Sequence, residues 1–261
     1  MKKKSIPNNQ EPSLFDDINL NEEKPFEGHQ AAILGRTPQH SNKELSDIFT
    51  SLGAKVTNAP SKNVSMLFVL SELNAKNADL METLKFNGYE FPILGIEDVN
   101  AVIEGKYDKY VDLKQPEKNL NLTPEHLSRL LSEIKTETSQ GINIPNPLYH
   151  HTLLFAPSIS HHLQPISQVF GNLGILISST EIDEETDIIV LPDETIENLS
   201  KGIKDENVSF IEKSYNKSSR INFNFRFMRF GDIISFIETR IKLDECTKAC
   251  YERYRSAVGE Q

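Results

Sequence analysis

Two pairs of adjacent histidines are the residues whose side chains most readily suggest chemistry in this sequence. They are His150-His151 and His161-His162, and they flank a predicted junction between a strand and a helix. Neutral imidazoles bind zinc, but no cysteine, aspartate or glutamate lies near these pairs at a spacing typical of metal ligands. The sequence therefore predicts no metal site and no cofactor.

The sequence patterns of common active sites are absent. It contains no Walker A loop, no G-x-S-x-G, no H-E-x-x-H and no paired C-x-x-C. The carboxylates are numerous but scattered along the chain, as they are on any acidic surface. We therefore predict that the protein is not an enzyme.

The cysteines and the absence of long apolar runs indicate the compartment. Cys246 and Cys250 lie one turn apart on a predicted helix, where a strain-free disulfide is awkward, so reduced thiols are expected. The first residues are polar rather than a hydrophobic signal core, and no apolar run approaches the roughly 18 to 20 residues that a bilayer requires. We predict a cytoplasmic protein that does not contact membranes.

The charge balance restricts nucleic-acid binding. The chain has 28 Lys and Arg against 38 Asp and Glu, a net charge of -10. Nonspecific affinity for duplex DNA comes mostly from Lys and Arg that neutralise phosphates. Broad duplex binding is therefore excluded, and any contact with nucleic acid must be local.

Aromatic and basic residues alternate near the end of the chain. The phenylalanines are Phe223, Phe225 and Phe227, and the interleaved arginines are Arg220, Arg226 and Arg229. One hypothesis is a stacking surface for single strands. A period of two also places the three rings on one face of a strand, and this favours the core of a sheet.

Apolar runs and helical periodicity predict the same order of elements in both halves. In the first half, strands are predicted at 31–34, 55–56, 66–70 and 91–94, with helices at 79–86, at 96–104 and after Ser41, whose spacing to Glu44 is that of a capping box. In the second half, strands are predicted at 152–156, 175–177, 188–191 and 223–230, with helices at 161–172, 194–215 and 232–242. Each half has the order β-α-β-β-α-β-α, which predicts an α/β repeat.

The domain organisation follows from these elements. Residues 1–25 are polar and are predicted to form a disordered tail, and residues 26–110 form the first module. Residues 111–147 form a linker with one helix that begins after Thr123, and residues 148–261 form the second module with a C-terminal helix.

Short motifs occur in a characteristic order in the first half. They are Phe26-Glu27-Gly28, the strand that ends at Gly35, Leu52-Gly53-Ala54, the segment 74–77, Gly88 and Glu97-Asp98-Val99. This order resembles a BRCT domain from Phe26 to Tyr107, although the tryptophan usual in the family is absent. The second half is similar mainly in the order of its elements. The resemblance implies two three-layer α/β modules, each with a parallel four-stranded sheet flanked by helices.

The resemblance also implies a phosphate-binding site in the first module. The family uses a hydroxyl or amide after the first strand and a lysine at the start of the second helix, positions that correspond to Arg36, Thr37 and Lys76. Lys43 joins them in a version that binds a 5′-phosphate. The family usually has a hydroxyl residue before the glycine, whereas this chain has Leu34. The alternative is that these cations are solvated surface charges.

The second module is not expected to bind phosphate. Ser158 and Ser160 offer hydroxyls after its first strand, but Asp193 and Glu194 open its second helix. Carboxylates at that position repel an anion.

A short apolar pair interrupts the polar tail. Leu14-Phe15, within Glu11–Phe15, resembles the peptide by which bacterial proteins dock into the sliding clamp. The alternative is that the pair packs on its own domain or has no role.

The resemblance implies a non-enzymatic adaptor of DNA replication or repair. It would bind a partner protein, with the sliding clamp as a candidate, and a phosphopeptide or a 5′-phosphate DNA end through the first module. The alternatives are an accessory subunit of a DNA-processing enzyme and a structural dimerisation protein.

Overall fold

The computed structural model describes residues 24–134, 146–160, 163–178 and 181–241, with positions 249, 252 and 256. The chain divides into two compact units. Unit 1 comprises Met1–Leu80 and Phe91–Gln115, and unit 2 comprises Met81–Glu90 and Pro116–Gln261. Within the described residues, no helix is long and apolar enough to span a membrane.

Unit 1 is built around one parallel sheet. Its elements are β1 (Gln30–Leu34), α1 (Asn42–Ser51), β2 (Lys55–Thr57), β3 (Met66–Val69), the first half of α2 (Ala75–Phe86), β4 (Ile93–Leu94), α3 (Ile96–Ile103) and α4 (Asp108–Val111). The strands lie in the order β2-β1-β3-β4, and all three neighbouring pairs are parallel. Because β1 leads through α1 to one side and β3 leads through α2 to the other, right-handed crossovers put these helices on opposite faces.

The core of unit 1 follows the period of two in its strands. Ala31 and Ile33 of β1 pack in one buried cluster with side chains of α1 and α3, including Phe49 and Val99. Alternate residues point to the opposite face of the sheet, and Leu34 there is also buried. Both faces are thus covered, which explains why the strands read as continuous apolar runs.

The start of α1 confirms a prediction made from the sequence. The Ser41 hydroxyl accepts a hydrogen bond from the backbone N–H of Glu44, and the Glu44 carboxylate accepts one from the backbone N–H of Ser41. This is the capping box that the spacing of Ser41 and Glu44 predicts.

Unit 2 repeats the architecture with a second parallel sheet. Its elements are the end of α2, α5 (Pro124–Leu130), β5 (Thr152–Phe155), α6 (Pro157–Ser160), α7 (Leu163–Asn172), β6 (Leu176–Ile177), β7 (Thr186–Leu191), α8 (Asp193–Ser200), α9 (Glu206–Lys217), β8 (Arg226–Arg229) and α10 (Phe230–Ile241). The strand order β6-β5-β7-β8 matches that of unit 1, and all three pairs are parallel. The predicted fold class, two α/β modules with four-stranded parallel sheets, is confirmed.

One predicted helical region in unit 2 consists of two helices. The apolar spacing predicted a single region over 194–215, whereas α8 ends at Ser200 and α9 begins at Glu206. Gly202 has a φ of +77°, which ends the first helix, and the Asp205 side chain caps the second by accepting from the Val208 N–H. A glycine with positive φ and a new N-cap outweigh the continuous helical pattern.

The three alternating phenylalanines lie in the core of unit 2. Phe223, Phe225 and Phe227 are each at most 1% exposed, and the Phe223 and Phe225 ring centroids are 5.1 Å apart. The interpretation of these residues as sheet core is confirmed, and their buried rings offer no stacking surface. Only Phe227 lies within β8, since the strand begins at Arg226 rather than at Phe223.

A histidine completes the N-cap of α5. The Thr123 backbone N–H donates to His126 Nδ1 at 3.2 Å, so Nε2 carries the proton and donates to the Phe86 carbonyl oxygen at 3.0 Å. The imidazole also stacks on the Phe86 ring. Burial lowers the pKa of His126 below its ordinary value, despite the hydrogen bond to the Phe86 oxygen.

This arrangement predicts a dependence of stability on pH. Protonation of His126 Nδ1 removes the acceptor of the Thr123 N–H. The unfolded state therefore binds this proton more readily than the folded state does. The stabilisation by His126 is complete above the ordinary pKa of 6.5 and is lost as the pH falls through the lower pKa of the folded state. We expect the unfolding free energy of the wild type to approach that of His126→Gln as urea titrations move from about pH 8 to about pH 5. A difference that stays constant over this range would contradict the assignment.

Candidate functional site

The carboxyl ends of β1 and β3 lie side by side in unit 1. The two strands are parallel, with Leu34 opposite Val69, and their crossover connections run to opposite sides of the sheet. In open α/β sheets the strand order reverses at such a point, and the crevice beyond the strand ends is where ligands bind. Arg36 follows β1 and Lys76 lies in the first turn of α2, the helix that follows β3.

Gly35 brings the backbone of β1 close to the chain that follows β3. Its φ is +105°, and a Cβ atom built there would lie 2.9 Å from the Ser71 backbone nitrogen and still closer to the Ser71 hydroxyl. The Asn42 side chain holds this bend by donating to the carbonyl oxygens of Ile33 at 3.0 Å and Gly35 at 2.9 Å. Only glycine combines this backbone conformation with this close approach.

Thr37 is a buried residue of the turn between β1 and α1. It is 4% exposed, and its hydroxyl accepts a hydrogen bond from the His40 backbone N–H at 2.9 Å. The Thr37 backbone N–H also donates to the His40 carbonyl oxygen. The hydroxyl therefore closes the turn that leads from β1 to α1.

Three of the residues predicted to bind phosphate are exposed cations. Arg36 lines a depression of about 300 Å³ with Thr37 and residues 38–41, and neither Lys43 nor Lys76 is among the residues that line it. In the part of the chain that the structure describes, none of the three cations forms an ion pair or a side-chain hydrogen bond. No described carboxylate lies within ion-pair distance of these three cations.

The two helix starts at this edge differ in charge. At α1, the Glu44 carboxylate takes the backbone N–H and hydroxyl of Ser41, and these hydrogen bonds hold the pKa of Glu44 below its usual value. The Glu44 carboxylate therefore occupies the start of α1, where Lys43 is the preceding residue. At α2, the neutral Asn74 side chain accepts from the Asn77 N–H at 2.9 Å, and the first turn has no acidic residue. The start of α2 is the more favourable place for an anion.

The corresponding edge of unit 2 carries one buried hydroxyl, one hydroxyl bonded to the backbone and an exposed acid. The Ser158 N–H donates to the buried Asn207 side chain, the Ser158 hydroxyl is itself buried, and the Ser160 hydroxyl donates to the Pro157 carbonyl oxygen. At the end of β7, the Asp193 carboxylate accepts from the Gly231 N–H at 3.1 Å.

A second carboxylate follows β8 at the same edge. Burial raises the pKa of Asp232, and the nearby charges of Asp193 and Glu133 raise it further, although Arg229 opposes them. This edge carries two carboxylates, whereas the edge of unit 1 carries the exposed cations Arg36 and Lys76.

The remaining sequence-based candidates lie elsewhere. Leu14 and Phe15, the second histidine pair and both cysteines fall outside the described residues. His151 Nδ1 lies 3.2 Å from the Asp187 carboxylate. Across the described ranges, no group of three or more His, Cys, Asp or Glu side chains could hold a metal ion.

Two residues that the sequence analysis did not select belong to this edge. They are Ser71, which follows β3 as Arg36 follows β1, and Asn42, which fastens the end of β1. Pairing the residues that follow adjacent parallel strands would have pointed to Ser71, because such residues meet at one edge of the sheet. No feature of the sequence indicated that Asn42 turns back to the strand.

Comparisons with known proteins concern the fold. No protein-family model matches the chain, and no curated protein matches it. The crystal structure of BRCT domains 3 and 4 of S. pombe Rad4 is similar over 82% of this chain and 92% of its own, at 9% identity and a TM-score of 0.26. Rad4 BRCT domains 1 and 2 in complex with a Crb2 phosphopeptide are similar over 83% and 93%, at 10% identity and a TM-score of 0.26. These values are too low to transfer a ligand or a partner to this chain.

Proposed function

We propose that this protein is a non-enzymatic adaptor of DNA replication or repair that binds a phosphorylated partner protein at the carboxyl edge of unit 1. The observation that carries the proposal is the position of Arg36 and Lys76 after two adjacent parallel strands, where neither cation forms an ion pair with a described residue. The resemblance of the first half to BRCT domains supports the same ligand.

The electrostatics favour a single phosphate over an extended polyanion. The chain has a net charge of -10, so a long phosphate backbone is repelled by most of its surface. One phosphoryl group with about 1.5 to 2 negative charges needs only a few local donors. Arg36 can bind two of its oxygens through a planar guanidinium, and Lys76 adds a point charge at the start of α2.

The chemistry of this edge is that of recognition rather than catalysis. A phosphoryl transfer site needs a metal or a further group that stabilises the charge transferred, in addition to a nucleophile. The Thr37 hydroxyl is committed to the turn, the Ser41 hydroxyl is paired with Glu44, and no described residue hydrogen-bonds the Ser71 hydroxyl to activate it as a nucleophile. The donors at this edge can bind a phosphate, and binding alone is sufficient for an adaptor.

Removal of the Lys76 charge is expected to abolish most of the phosphate-dependent binding. The probe is an immobilised peptide library with a central phosphothreonine and degenerate flanking positions, beside the same library without phosphate. We expect retention of the wild type on the phosphorylated library only, and a loss of about tenfold or more for Lys76→Met. The matched control is Lys55→Met, an exposed lysine at the start of β2, at the opposite end of the sheet.

Other results would point elsewhere. Equal retention of the wild type on both libraries would contradict phosphate recognition. A parallel anisotropy titration with recessed-end DNA, with and without a 5′-phosphate, covers the alternative ligand. Binding to the phosphorylated DNA end alone would replace the adaptor proposal with a reader of DNA ends.

A further inference from the structure

The close approach of Gly35 and Ser71 places a hydroxyl in the crevice between β1 and β3. The Leu70 backbone N–H donates to the Leu34 carbonyl oxygen at 2.9 Å, so the two segments are still hydrogen-bonded to each other where the strands end. Immediately beyond, Ser71 lies against Gly35, with its Cβ 3.1 Å from the position of a glycine Cβ. A larger residue at position 35 would displace this serine.

Ser71 is the hydroxyl at this edge that remains free. Thr37 is buried and bonds the His40 N–H, and the Ser41 hydroxyl is paired with the Glu44 carboxylate at 2.9 Å. Ser71 is exposed, and its hydroxyl makes no hydrogen bond to any residue within the described ranges. Its donor is therefore available to a ligand.

The side chain before Gly35 cannot donate a hydrogen bond to a ligand. Leu34 is 2% exposed, and its side chain lies in the interior of unit 1. A phosphate at this edge consequently lacks a hydroxyl donor from β1 itself. The neighbouring strand offers one instead, because Ser71, which follows β3, lies against Gly35 at the end of β1.

We propose that Ser71 is a phosphate-binding residue of this protein and supplies, from the end of β3, the hydroxyl that β1 does not provide. The inference rests on the proposed binding of a phosphorylated partner at the same edge. The Ser71 O–H donates to a phosphate oxygen, while Arg36 and Lys76 balance the charge. Ser71 thereby contributes to the distinction between a phosphorylated and an unphosphorylated partner.

The test compares Ser71→Ala with Ser71→Thr on the two peptide libraries. Loss of one hydrogen bond to a charged group is expected to lower the ratio of phosphorylated to unphosphorylated retention about tenfold for Ser71→Ala. Ser71→Thr keeps the hydroxyl and is expected to retain most of that ratio. The matched control is Ser51→Ala, an exposed serine at the last position of α1, which should behave like the wild type.

The outcomes separate the role of Ser71 from the proposed function. If Lys76→Met loses the discrimination while Ser71→Ala keeps it, the site is real and the role of Ser71 is refuted. If the wild type itself shows no discrimination, both proposals are refuted. Equal thermal unfolding midpoints for the wild type and Ser71→Ala exclude a folding defect. A loss in Ser71→Ala that Ser71→Thr does not restore would assign the effect to packing against Gly35 and overturn the proposal.

Discussion

Replacement of Phe223 by alanine is expected to lower the free energy of unfolding of unit 2 by about 3 to 5 kcal/mol, the range for a large buried aromatic. The ring is 1% exposed and has its centroid 5.0 Å from Tyr215, 5.1 Å from Phe225 and 5.9 Å from His126. Truncation leaves a cavity among these rings that a parallel sheet and its flanking helices cannot easily close.

Urea unfolding followed by far-UV circular dichroism and tyrosine fluorescence measures this loss, since the chain has no tryptophan. The control is Phe210→Ala in α9, where the ring is only partly buried and the expected loss is smaller. A loss for Phe223→Ala no larger than that for Phe210→Ala would mean that the ring is not part of the core.

Replacement of Gly88 by alanine is expected to cost about 3 kcal/mol or more, because two unfavourable effects add. Gly88 has a φ of +81°, which is unfavourable for alanine, and a Cβ would lie 2.7 Å from the Leu120 backbone nitrogen. The Asn119 N–H donates to the Gly88 carbonyl oxygen at 2.7 Å, and this hydrogen bond joins the backbone at Gly88 to the segment that contains Leu120. The backbone of Leu120 would have to move, and this hydrogen bond would be strained.

Gly202→Ala separates the two effects. Gly202 lies in the same unit with a φ of +77°, but nothing lies within 4 Å of a Cβ at that position. Its cost is therefore that of backbone conformation alone, about 1 to 2 kcal/mol. Equal losses of unfolding free energy for Gly88→Ala and Gly202→Ala, in thermal or urea unfolding, would show that the Leu120 backbone does not restrict the side chain at position 88.

The two units combine one fold with opposite surface chemistry. At the carboxyl edge of unit 1, Arg36 and Lys76 are exposed and unpaired among the described residues. At the equivalent edge of unit 2, Asp193 and Asp232 follow the strands, and a buried Asn207 fixes the turn at Ser158. The repeat thus places exposed cations at one edge and carboxylates at the other.

The elements and the core were accessible from sequence because their signals are local. Alternation of Phe223, Phe225 and Phe227 identified one buried face, and the spacing of Ser41 and Glu44 identified the start of α1. Both patterns depend on residues a few positions apart, where backbone geometry alone decides which side chains share a face. The repeated order of elements predicted an α/β repeat, and the resemblance to BRCT domains implied that its two sheets are parallel.

The composition of the proposed phosphate-binding edge depended on contacts distant in sequence. Thr37 and Ser71 both carry hydroxyls near strand ends. The turn from Thr37 to His40 buries the Thr37 hydroxyl, whereas Ser71 is exposed. The meeting of Gly35 with Ser71 requires that β1 and β3 pair in one register, which no local pattern specifies. The sequence by itself determined the order of the strands and the cations that follow two of them. The tertiary structure decided the division of 194–215 into two helices and which hydroxyl lies against Gly35, because parallel pairing joins residues 36 positions apart.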